Sequence, residues 1–63
     1  IEGSMKVGNI VKWHTDTAHF ALVSGIVIDT CMIDGVPHAT VFWFDLGVEN
    51  HHPYMNLTTI SEA

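Results

Sequence analysis

Five histidines, one cysteine and seven carboxylates are the side chains of this 63-residue chain from which metal ligation or nucleophilic chemistry could be assembled. His14, His19, His38, His51 and His52, with Cys31 and several aspartates close in sequence, invite a metal site. A zinc-type site needs three or four donors converging on one point, whereas neighbouring residues of an extended strand face opposite ways. His51 and His52 therefore cannot chelate one ion together if they are extended. No two histidines stand four apart as on a helix, and no Cys-x-x-Cys occurs. The spacing favours structural or surface roles, with His14, His19 and His51 gathered by loops as the alternative; the expectation is no metal and no cofactor. Cys31, between Thr30 and Met32 and without a Gly-rich segment to stabilise an oxyanion, reads as a packed small hydrophobe rather than a nucleophile. Asp16, Asp29, Asp34 and Asp45 fall at turns or strand ends, where a short carboxylate bonds its own backbone. No catalytic residue is expected, and the protein is not read as an enzyme.

The elements that must position these residues are strands. Val7-Gly8-Asn9 reads as a turn, and Ile10, Val11 and Trp13 as strand one, ended by the polar run from His14. Residues 20–30 are too β-branched for a favoured helix and form a long strand two, with a bulge or bend expected at Gly25. Asp34-Gly35 is a hairpin signal, and Pro37 is expected to delay the ladder, so that strand three spans residues 38–44. Asp45-Leu46-Gly47 turns the chain into a short strand at residues 48–51, which Pro53 ends. One 3₁₀ turn at residues 53–56 and a last strand at 57–60 follow. Five strands of this length solve their edge problem by curling into a small, partly open barrel.

Composition agrees with one small globular domain: 48% of the residues are hydrophobic and 14% charged, which excludes a disordered chain, and one cysteine excludes a disulfide scaffold. No apolar run reaches the roughly 18 residues of a membrane span, and no secretion signal opens the chain, so a cytoplasmic location is expected. Residues 1–4, Ile-Glu-Gly-Ser, read as the remnant of a protease-site or cloning linker, leaving a single domain over residues 5–63. The net charge of -5, with Lys6 and Lys12 the only lysine or arginine residues, denies a phosphate backbone its positive stripe. Nucleic acid at neutral pH and anionic membranes are both disfavoured as partners.

Val7-Gly8-Asn9-Ile10-Val11-Lys12-Trp13, then Gly25-Ile26-Val27, then Val41-Phe42-Trp43-Phe44-Asp45, then residues 53–57 closing on Thr58-Thr59-Ile60, resemble the small SH3-like barrels. In that family a short 3₁₀ turn separates the fourth and fifth strands. The sequence is most similar to short, mostly uncharacterised barrel proteins of bacteriophages and bacteria, with their Val-Gly-Asp-x-Val-like start, Gly-x-Val strand and Val-x-Trp-x-Asp-Gly strand end. The resemblance covers nearly all of residues 5–61 and implies the fold; barrels of this type serve as peptide, RNA, ribosome and subunit-contact modules. Two departures stand out. Asn9 replaces the usual Asp, and Leu46 separates Asp45 from Gly47, so the loop after strand three is expected to be one residue longer.

Alternation along strand three puts Ala39, Val41 and Trp43 on one face and Thr40, Phe42 and Phe44 on the other. The resemblance places Val41 and Trp43 inside, which leaves Phe42 and Phe44 outward beside Ile26 and Ile28. Either barrel twist folds a phenyl ring over the end of the core, or these four residues form a subunit interface. A further candidate is a peptide groove at Trp13, Asp16 and Tyr54, although Ala18-His19-Phe20 lacks the aromatic pair of a peptide-binding SH3 domain and Trp13 reads better as core. The resulting expectation is an all-β, five-stranded SH3-like small barrel with a 3₁₀ turn before its last strand. It is read as a non-enzymatic adaptor or assembly protein, of bacteriophage origin, that binds another protein and pairs with itself as a homodimer. The alternative is an RNA- or ribosome-associated barrel of the Sm-like or KOW-like kind, for which salt-sensitive RNA affinity would be the sign.

Overall fold

A computed structural model of the chain describes residues 5–15 and 23–63. Five antiparallel strands, β1 (Ile10–Trp13), β2 (Ser24–Ile33), β3 (Val36–Trp43), β4 (Val48–Pro53) and β5 (Leu57–Ser61), form one sheet in the order β4-β3-β2-β1-β5. A 3₁₀ turn, Tyr54–Asn56, separates β4 from β5. No pairing joins β4 to β5 among the described residues, so the sheet is open rather than closed on itself.

The turns follow from residues that tolerate positive φ. Asn9 N–H closes onto the Lys6 carbonyl at 3.0 Å with Gly8 at φ 99°, the geometry of a type II turn. Asp34 and Gly35 both have positive φ, 51° and 78°, as a two-residue type I′ hairpin requires. After β3, residues 44–47 make the turn into β4, and Gly47 at φ 66° donates its N–H to the Trp43 carbonyl at 2.8 Å. Phe44, assigned above to strand three, lies in this turn, yet its N–H still reaches the Ser24 carbonyl at 3.0 Å.

One face of the sheet carries the core. Val11, Val27, Ala39, Val41, Trp43 and Leu57 are buried together, and Met5, Trp13, Val23 and Tyr54 pack against them. Alternation in β3 runs as its sequence pattern predicts, with Ala39, Val41 and Trp43 all inward.

Four local expectations need correction. No register shift falls at Gly25, which pairs with both Val11 and Trp43. A Cβ there would stand 2.5 Å from the Phe42 carbonyl oxygen and 2.6 Å from Val41 Cγ1, so this glycine serves a close approach of β3. The bulge instead lies between Val27 and Asp29, leaving Ile28 as the extra residue. It reverses the parity of β2: Gly25 and Val27 share the inner face before it, and Thr30 shares it with Ala39 after it.

Pro37 does not delay the ladder, because β3 begins at Val36 and pairs Val36 with Ile33 and Pro37 with Met32. The reason is parity. The Thr30 N–H bonds the Asp29 carboxylate at 2.9 Å, so Thr30 turns its backbone away from β3. Hydrogen-bonded positions alternate along an antiparallel pair, so Met32 and its partner Pro37 also occupy a non-hydrogen-bonded pair, where the missing N–H breaks nothing. The same rule places Pro53 opposite His38 without loss, and β4 runs on to Pro53 instead of ending at residue 51. β2 likewise extends to Ile33, three residues beyond its expected end; residues 20–22 of the expected strand lie outside the described residues.

Candidate functional site

The outer face of the sheet is built by the residues that alternate with the core. Pairing sets Ile10 beside Ile26, Ile26 beside Phe42 and Phe42 beside Glu49, a row crossing β1, β2, β3 and β4. Because Val11, Val27 and Val41 point inward, this row points outward. Ile10, Ile26 and Phe42 are half-buried by their neighbours. Phe44 is 47% exposed and packs edge to face on Phe42, with ring centroids 6.2 Å apart. Ile28, pushed out by the bulge, is 39% exposed. All four residues expected at an interface thus lie on or beside one outward patch. Ile10 is an addition the sequence reading missed; its alternation with Val11 in β1 was the available signal.

Polar groups rim the patch. Lys12 follows Ile10 on the outer side of β1, paired with Ser24 and Thr58. Towards the β2–β3 turn, the next outer row is Asp29, Thr40 and His51, in which the Thr40 hydroxyl and His51 Nδ1 lie 2.8 Å apart. Beyond it, Cys31 pairs with His38, whose Nδ1 is bonded to the Val36 carbonyl at 2.8 Å. Cys31 is exposed, not the packed small hydrophobe of the sequence reading, because β2 runs past β1 and only β3 flanks it there.

A second cluster closes the end of the core. Trp13 and Trp43 stack with centroids 4.9 Å apart and planes at 17°, and His52 packs edge-on against both, at 4.5 and 5.6 Å. The buried Trp43 donates its Nε1–H to His52 Nε2 at 3.2 Å, which requires a neutral acceptor nitrogen there. Burial, reinforced by the neighbouring His51 and His38 imidazoles, holds the His52 pKa below the ordinary histidine value. His51, adjacent in sequence, is on the opposite face, as alternation demands.

Trp13 also lines a shallow groove of about 290 Å³ with His14, Thr15, Met55 and Asn56. Of the residues named for a peptide groove, Trp13 lines it, Tyr54 packs against the core beside it, and Asp16 lies outside the described residues. His14 is exposed, with its Nδ1 3.3 Å from the Thr58 hydroxyl; His19 lies outside the described residues. Among the described residues no group of three or more His, Cys, Asp or Glu side chains is placed to hold a metal ion, and no helix is long and apolar enough to cross a membrane.

No family model, curated protein or solved structure matches the chain. The functional reading therefore stands on the chain's own residues.

Proposed function

We propose that this protein is a non-enzymatic adaptor or assembly module, SH3-like in fold, that works through protein contacts and pairs with a second copy of itself by the outer face of β2 and β3. The observation that carries the reading is the apolar row Ile10, Ile26 and Phe42, extended by Phe44 and Ile28, on the face opposite the core. Contiguous apolar surface rimmed by polar groups is the anatomy of a protein interface. The SH3-like assignment is supported by the return of β5 to β1 and by the 3₁₀ turn before it, in keeping with the family resemblance of the sequence. A cytoplasmic location and a bacteriophage or bacterial source belong to the same proposal.

Light scattering across a concentration series tests the pairing. The wild type is expected to show twice the chain mass at high concentration, and Phe42→Asp and Phe44→Asp the mass of one chain with an unchanged circular dichroism spectrum. Aspartates that leave the mass untouched would remove this face from consideration. A second reading, capture of an extended peptide, is favoured by the groove on Trp13 and Met55. Its sign is a change of tryptophan emission on adding a proline-rich peptide.

A further inference from the structure

The outer face has an electrical polarity as well as an apolar centre. Its cation, Lys12, stands on β1, and the carboxylate of its apolar row, Glu49, stands on β4. Between them lie Ile10, Ile26, Phe42 and Phe44. β1 and β4 are three strand spacings apart, about 14 Å.

Two copies packing face to face can be related by a two-fold axis lying in the interface either across the strands or along them. An axis across the strands lays β1 on β1 and β4 on β4, bringing like charges to the same side. An axis along the strands reverses the order of strands and keeps the position along each strand, so β1 lies over the partner's β4. Lys12 and Glu49 are then offset by one row, two residues or about 7 Å along the strand. That offset and the roughly 10 Å between packed sheet faces are spanned jointly by an extended lysine side chain, its stem resting on apolar surface, by the glutamate side chain and by an ion-pair separation of up to about 4 Å.

Resting on the self-pairing reading above, we infer that the outer face is closed by a second copy of this chain in the along-strand two-fold arrangement, with Lys12 of each copy set against the partner's Glu49. The arrangement is isologous, so each contact occurs twice. Rim ion pairs of this kind add little affinity and mainly choose the orientation.

Charge exchange tests the inference apart from the reading beneath it. Lys12→Glu and Glu49→Lys are each expected to weaken the homodimer about tenfold in Kd, through two repulsive contacts per dimer. Glu49→Lys is the decisive single variant, because lowering a net charge of -5 would by itself ease association. Mixing the two variants is expected to produce a heterodimer at least as tight as the wild type, since a carboxylate then faces an ammonium at both contacts; the double variant is expected to recover in the same way. If Phe42→Asp separates the copies while both charge variants pair like the wild type, the along-strand arrangement is wrong and the interface stands. If both single variants weaken pairing and neither the mixture nor the double variant recovers, the Lys12–Glu49 contact is likewise refuted. A wild type that stays at one chain mass at every concentration, or a Phe42→Asp variant that still pairs, overturns the interface and this arrangement together.

Discussion

The two faces of this one sheet are made from the same strands and almost the same residue types, yet the chain covers only one of them. Inside, Val11, Val27, Ala39, Val41 and Trp43 are sealed, and β3 passes so close to β2 that position 25 has no room for a side chain. Outside, Ile10, Ile26 and Phe42 sit one residue out of phase with them and remain half-open, with Phe44 and Ile28 more exposed still. The comparison teaches that hydrophobicity alone does not define a core in a small sheet. What separates the faces is whether the rest of the chain covers them: Met5, Val23, Tyr54 and Leu57 cover the inner one. Inner substitutions should therefore act on the stability of one chain, and outer ones on the proposed self-pairing.

The largest effect should come from Gly25→Val. The new Cβ would meet backbone, the Phe42 carbonyl oxygen at 2.5 Å, which cannot swing aside as a flexible side chain can. Loss of about 3 kcal/mol or more is expected. In a domain of this size each kcal/mol lowers the melting temperature by about 4–8 °C, so the variant should melt far below the wild type or not fold. A melting temperature within a few degrees of the wild type would show that the two strands are not locked together there, and the contrast between the faces would fail at its tightest point.

Gly25 also marks how far the sequence could be read. Strand number, the Asp34-Gly35 hairpin, the 3₁₀ turn and the alternation of β3 were legible, because each depends on neighbours in sequence: period-two alternation, or residues suited to positive φ; which phase of β3 faces inward came from the family resemblance. A glycine in a strand signals a bulge and a close approach with the same letter, and choosing between them needs the strand opposite. The bulge of β2, at Ile28, carries no glycine at all. Pro37 misled for a similar reason. Whether it interrupts a ladder depends on the parity of hydrogen bonding, which the hairpin register sets across both strands. Of the candidate site, Ile26, Ile28, Phe42 and Phe44 were visible as one phase of β-rich segments, set outward by the family resemblance. The neighbour relation that adds Ile10 appears only once β1 is paired with β2.

A middle-sized effect is expected at Asn9, whose identity looked like no more than a departure from a family pattern. It is 2% exposed, its Oδ1 accepts the Ala63 N–H at 2.9 Å, and its backbone carbonyl accepts the Val27 N–H at 2.9 Å. Asn9→Ala removes the first bond and keeps the second, and should cost about 1–2 kcal/mol. Asn9→Asp should cost less once its carboxyl is protonated, because a neutral acceptor oxygen then remains in a site too buried for an unpaired charge. Thermal melts of the two variants at acid pH check the order. Equal losses would mean that the hydrogen bond to Ala63 contributes nothing, and that the inner face owes its integrity to apolar packing alone.

The smallest effect is a dependence on pH, and it sharpens the comparison because it pits a polar group of the inner face against the histidines outside. His52 accepts from Trp43 Nε1 while packed against both indoles, and its pKa is lowered, first by burial and then by His51 and His38. The unfolded chain binds this proton more readily than the folded one. Between the ordinary histidine value, about 6.5, and the lower folded value, the unfolded state therefore carries more protons. Stability from this group is complete above about pH 6.5 and is lost as the pH falls through that window. Protonated Nε2 would also turn a donor towards the Trp43 N–H, so tryptophan emission should change over the same range. His52→Gln keeps an acceptor without a titrating proton but loses the ring packed on both indoles, so a constant loss is expected at every pH, and the pH-dependent part of the difference from the wild type's melting-temperature profile should be confined to that acid window. His51→Gln, altering an imidazole on the outer face, should preserve the transition but shift it upward, because one source of the depression is gone. If the two substitutions exchange these behaviours, the proton is binding on the outer face, and the assignment of His52 to the core end of the sheet is wrong.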